Sequence, residues 1–181
     1  MAEIYRAKPF DVPEFERYFA VKRILPNLAE DDDFIDMFVD EAKLVIRLNH
    51  PNIAQMYELS RLAGSPYIVM EYIPGKDLLA IQRHVRERRR VMAIGQAVHI
   101  ISKVARALAH AHELRDEDGE LLHLVHRDVS PQNVLVSYTG GVKLIDFGIA
   151  KVARRTQQET RAGVLKGKFS YMSPEQVKGD P

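Results

Sequence analysis

The 181 residues predict an α+β fold of two lobes, a small β-rich lobe over residues 1–73 and an α-rich lobe over residues 74–181. Three observations lead there. Short apolar and β-branched runs surround one helix in the first part, helical periodicity takes over in the second, and Pro74-Gly75 punctuates the change as a linker signal. An apolar content of 46% lets a chain of this length bury a real core.

Taken in order, Ile4 to Ala7 and Tyr18 to Ile24 read as strands, separated by Lys8 to Arg17 with Pro9 and Pro13 as turn punctuation. From Asp31 the period changes. Asp31, Asp32 and Asp33 supply N-cap and first-turn acids, and Phe34, Phe38, Ala42 and Val45 recur at helical spacing toward Leu48. Pro51 disfavours helical geometry at His50 and ends that helix. Ile53 to Leu59 and Tyr67 to Ile73 read as two strands turning near Gly64-Ser65-Pro66. Asp77 to Arg90 is helical, and its arginines 83, 86, 88, 89 and 90 read as a solvated face. Ala93 to Leu114, with Val98, Ile101, Ala105, Leu108 and Ala111, predicts a long buried helix. Arg115 to Glu120 is a charged connector, and Val134 to Val136 with Val142 to Ile145 predicts a hairpin turning at Gly140-Gly141.

Composition narrows the function classes. Lysine plus arginine number 26 against 25 acids, so no net basic field draws nucleic acid or an anionic membrane surface. Cysteine is absent, which excludes disulfides and thiolate metal ligation and fits a reducing interior. No apolar run reaches the roughly 20 residues that span a bilayer, and no basic-then-apolar leader pattern opens the chain. The expected location is the cytoplasm, with no membrane segment within the chain. His110 and His112 are two apart on a helix and diverge, so no zinc site is expected.

The chemistry is concentrated in Val125-His126-Arg127-Asp128-Val129-Ser130-Pro131-Gln132-Asn133-Val134-Leu135 and in Lys143-Leu144-Ile145-Asp146-Phe147-Gly148. A carboxylate, an amide and a second carboxylate follow at the order and spacing used for phosphoryl transfer. Taken singly, an Asp beside a Pro-containing loop is usually a turn former or cap. With His126, Arg127, Phe147 and Gly148 filled in, the chain resembles a eukaryotic-type (bacterial) serine/threonine protein kinase domain truncated at both ends. The expected fold is therefore the two-lobed protein-kinase-like one, with its second lobe incomplete.

The resemblance implies roles residue by residue. Asp128 is the base and orienter for the acceptor hydroxyl, while Asn133 and Asp146 are the Mg2+ ligands. Lys22 reaches the phosphates of ATP, with Glu41 as its partner. Ile4, Ala20 and Leu135 sandwich adenine, Met70 is the gatekeeper, backbone groups of Glu71, Tyr72 and Ile73 read the base, and Asp77 approaches the ribose. Val45, Met56, His126 and Phe147 are expected to stack across the lobes. Arg127 marks a loop ordered by phosphate, which makes Thr156 and Thr160 the candidate regulatory phosphosites. Protein substrates and ATP are the expected partners, and nucleic acid is not.

Three departures accompany the resemblance. Ser130 stands where the family usually places lysine, and Lys168 is inferred to restore that charge from the opposite wall. Met1 to Tyr5 resembles only the tail of the glycine-rich loop, with no glycine before Gly64. The chain stops just past Ser173-Pro174-Glu175, which resembles the closure of the activation segment, so the long helix is expected to expose apolar surface. The expectation is a fragment of weak or no activity. The alternatives are a pseudokinase-like binding or regulatory module and, further off, a small-molecule phosphotransferase.

Overall fold

The computed structural model describes residues 2–10, 17–25, 32–62, 64–147 and 169–178, without the side chains at positions 32–34, 37, 41 and 169. Strands β1 (Ala2–Ala7), β2 (Phe19–Ile24), β3 (Met56–Leu62) and β4 (Ser65–Glu71) form an antiparallel sheet in the order β1-β2-β4-β3. Directly opposed residues share a face of a sheet. Ile4 opposes Lys22, Lys22 opposes Ile68, Ala20 opposes Met70, and Met70 opposes Met56, so these side chains lie on one face. Helix α1 (Asp32–Val45) covers that face through Phe38 and Ala42, which close a buried cluster with Ile24, Met56 and Ile68. Each buried Ile, Phe or Met in such a cluster contributes roughly 1.5–3 kcal/mol.

The helix ends at Val45, earlier than the expected Leu48. Its last turn tightens, with Arg47 N donating to Leu44 O and Leu48 N donating to Val45 O, which seats Leu48 in the core. The strand expected from Ile53 begins instead at Met56. Ile53 is taken up by an isolated parallel bridge to Leu144, with Ala54 N donating to Leu144 O and Leu144 N donating to Asn52 O. Leu48 and Ile53, assigned by sequence to the first lobe, thus pack with Leu78, Val104, Leu124 and Phe147 in the core of the second. Gly64, at φ +82°, leads the chain into β4.

Pro74-Gly75 leads directly into a strand. Strand β5 (Gly75–Asp77) pairs with β6 (Val134–Ser137), which pairs with β7 (Val142–Leu144) in a second antiparallel sheet. A Cβ at position 75 would sit 2.2 Å from Val136 O, so only glycine allows this approach. Asp77 then caps helix α2 (Leu78–Glu87), its carboxylate accepting from Ala80 N at 2.8 Å. The arginines after Arg83 stay exposed, in keeping with a solvated face.

Helix α3 (Ile94–His112) buries Ile100, Val104, Ala107 and Ala111, a stripe at 4-3-4 spacing. This corrects the expected stripe. Val98 and Ile101 are 61% and 63% exposed, Ala105 is exposed and Leu108 is partly buried, because the buried face is set by β7, which α3 packs against. The apolar exposure expected of this helix is therefore present. The charged connector is an ordered hairpin, in which Arg115 bridges Leu121 and Asp116 Oδ1 accepts from the amides of Asp118 and Glu120. A 3-10 turn (Pro131–Asn133) precedes β6, and a short helix α4 (Pro174–Lys178) closes the described chain.

Candidate active site

Asp128 and Asn133 come from one loop and touch. The Asn133 amide donates from Nδ2 to both Asp128 O and Asp128 Oδ2, each at 2.7 Å, and both residues are buried. The 3-10 turn brings this about, since Asn133 N donates to Ser130 O and folds the amide back over the loop. With Nδ2 so committed, the amide oxygen is the hard donor left to face a cation.

Lys22 and Asp146 form the second half. The Nζ to Oδ1 distance is 2.6 Å, with both side chains partly buried. Ile145 N donates to Asn133 O at 2.9 Å, which extends the β6–β7 ladder to within one residue of Asp146. His126 completes the link. Its Nδ1 accepts from Asp128 N at 3.3 Å, which leaves the proton on Nε2 to donate to Ile145 O at 3.1 Å. Its ring lies against Phe147 with centroids 4.5 Å apart. All three oxygen-bearing residues are thereby linked through His126 and Ile145, with Asp128 and Asn133 buried and Asp146 partly exposed.

The backbone is strained at this point. Arg127 has φ +59° and Asp146 φ +55°, a left-handed conformation that costs L-residues about 1–2 kcal/mol each. Such strain persists only where the surroundings hold it. At Arg127 they do so through His126 on one side and Gln176, whose Nε2 donates to Arg127 O at 2.8 Å.

Beside Lys22 and Asp146, the residues Ala42, Met56, Met70 and Phe147 line a narrow cavity of about 30 Å3 between α1 and the strands, room for a water or two. Ile4 and Ala20 share the Lys22 face, and Leu135 opposes both Asp77 and Lys143 on a face of the second sheet. The structure thus brings together Lys22, Asp146, Asn133 and Asp128, and places Ala20 and Met70 beside them. Asp77 has its carboxylate engaged as a helix cap. The Glu41 side chain lies outside the described residues, as do Thr156, Thr160 and Lys168.

Several contributors were not read from sequence. Asn52 is buried and donates from Nδ2 to Val142 O, and Lys143 reaches Glu71 across the lobes. Lys143 carries a faint signal, a polar residue alternating with apolar Val142 and Leu144. Ser130 Oγ is buried with no hydrogen-bond partner among the described residues. Among those residues no group of three or more His, Cys, Asp or Glu gathers as a metal site, and no helix is long and apolar enough to cross a membrane.

A loop carboxylate in contact with an amide thus lies close along the chain to a lysine–carboxylate pair that joins β2 to the residue before Phe147. The sequence matches the protein kinase domain family over residues 11–181, and the chain belongs to that family. It is 45% identical to the tyrosine-protein kinase MasK of Myxococcus xanthus, covering 99% of this chain and 28% of that protein. It is 34% identical to the serine/threonine-protein kinase PrkC of Bacillus subtilis, covering 99% of this chain and 25% of that one. Among solved structures, the PknI kinase domain of Mycobacterium tuberculosis superposes with a TM-score of 0.68 at 31% identity, covering all of this chain and 60% of that chain. The fold is a protein kinase fold, and these relatives are bacterial protein kinases.

Proposed function

We propose that this domain transfers the γ-phosphate of ATP to serine or threonine hydroxyls of protein substrates. One observation carries the proposal: Asp128 and Asn133 in contact, tied through His126 and Ile145 to the Lys22–Asp146 pair. Asp128 orients the hydroxyl and accepts its proton, while Asn133 holds the carboxylate in place. Lys22, now paired with Asp146, is positioned to exchange that partner for phosphate oxygens on a shared face with Ile4 and Ala20. Adenine would lie against Ile4, Ala20 and Leu135, read by backbone groups of Glu71 to Ile73.

The donor set suits magnesium. Asp146 supplies one carboxylate and Asn133 an amide oxygen, the hard ligands this ion accepts alongside waters and phosphates. When bound, the ion neutralises phosphate charge as the γ-phosphoryl leaves. Glu41, Lys168, Thr156, Thr160 and Asp77 keep the roles the resemblance implies, and the cytoplasm, where ATP is abundant, is the proposed location.

A second reading, transfer to tyrosine, is favoured by Ser130 in place of the usual lysine and by the printed activity of the Myxococcus relative. Labelling generic protein with ³²P-ATP by the intact protein, with Asp128→Asn as control, tests both. Phosphoserine or phosphothreonine in the hydrolysate supports the first reading and phosphotyrosine the second. Nucleotide binding without transfer would instead make the domain a binding module.

A further inference from the structure

We infer that Gln176 is a positioning residue for Asp128, an inference that rests on the kinase reading above. The peptide unit joining Arg127 to Asp128 is gripped at both ends. Its N–H donates to His126 Nδ1 at 3.3 Å, and its carbonyl oxygen accepts from Gln176 Nε2 at 2.8 Å. Rotation of this unit would swing the Asp128 side chain, and the left-handed φ of Arg127 gives the unit a reason to rotate.

Gln176 is itself locked. Its Oε1 accepts from Ser173 N at 3.2 Å, and its own N donates to Ser173 Oγ at 3.3 Å, the reciprocal arrangement of a Ser-x-x-Gln capping box. One amide thus spends its acceptor on seating α4 and its donor on the catalytic loop. His126 fixes the loop from the Asp146 side, whereas Gln176 fixes it from the end of the activation segment. Asp128 is aimed only when residues 173–178 are seated, so α4 is coupled to the base.

The test is Gln176→Glu in the intact protein, which keeps an acceptor for Ser173 N but replaces the donor to Arg127 O with a repelling carboxylate. Lys178→Ala, exposed on the same helix, is the control. The expected result is a kcat lowered ~10-fold or more, with KM for ATP and melting temperature near wild type, and with the deficit narrowing toward pH ~5 as the carboxyl regains a proton to donate. Amide exchange of Asp128 is expected to quicken. A kcat for Gln176→Glu equal to that of the control, or a loss that only tracks lowered melting temperature at every pH, would overturn the inference. If the wild type transfers no phosphate, the kinase reading fails by itself, and exchange at Asp128 alone decides: faster in Gln176→Glu upholds the latch, unchanged removes it.

Discussion

Lys143 Nζ lies 2.6 Å from Glu71 Oε2, tying the strand just before Asp146 to the residue that leads out of the first lobe. The same carboxylate oxygen accepts from Gln55 N at 3.1 Å, so three segments meet on it. The side chains are 21% and 23% exposed, too sheltered for a surface ion pair and too wet for a buried one. Lys143→Met should therefore cost ~1–2 kcal/mol, between the two regimes. Chemical denaturation of each single variant and of Lys143→Met with Glu71→Gln checks it. Purely additive losses would mean the two residues do not communicate.

Asp128→Asn should abolish most phosphoryl transfer, a drop of ~10²–10⁴ in kcat, while leaving the fold intact. The Asn133 amide donates to Asp128 O as well as to the side chain, and a carbonyl oxygen at Oδ1 still accepts. Transfer assays beside melting curves separate the two effects.

Ser130→Ala removes a buried hydroxyl that finds no partner among the described residues. Stability should be unchanged or raised by up to ~1 kcal/mol, since an unpaired buried donor is a cost and not a gain. A denaturation midpoint that falls instead would reveal a partner for this hydroxyl in the intact protein.

Gly75→Ala should be severe. The added methyl meets backbone at Val136 O, Val136 C and Ser137 Cα, which cannot turn aside as a side chain would. A loss of roughly 3 kcal/mol, or failure to accumulate soluble protein, is expected. Normal expression with an unshifted midpoint would contradict the pairing of β5 with β6.

His50 predicts a pH dependence of stability. Burial holds its pKa below the ordinary 6.5, reinforced by neighbouring His110, Arg106 and Lys143. Its Nδ1 accepts from Asn52 N, and its ring stacks on His110 with centroids 5.1 Å apart. Between the folded pKa and 6.5 the unfolded chain binds more protons, so stability rises with pH there and falls as pH drops below about 6.5. Urea midpoints at pH 7.5 and 5.5 should differ in the wild type and differ less in His50→Asn.

What was legible in the residues is what local chemistry encodes. Gly64, Gly140 and the short apolar run that opens β2 specify turns and strands because backbone sterics and local residue preference act within a few residues. The trio of Asp128, Asn133 and Asp146 was legible because its members lie close in sequence around one hairpin. The rest depended on which surfaces meet. The stripe of α3 shifted from the expected residues because several apolar sets fit a helical period, and only contact with β7 selects one. Lys22 and Asp146 are 124 residues apart, Lys143 and Glu71 72, and Gln176 and Arg127 49. No local period reaches across such distances. The sequence marked the groups to which the proposed chemistry is assigned, and the tertiary structure alone decided which backbone and side-chain partners hold them, because burial and hydrogen-bond satisfaction are settled only when distant segments share one core.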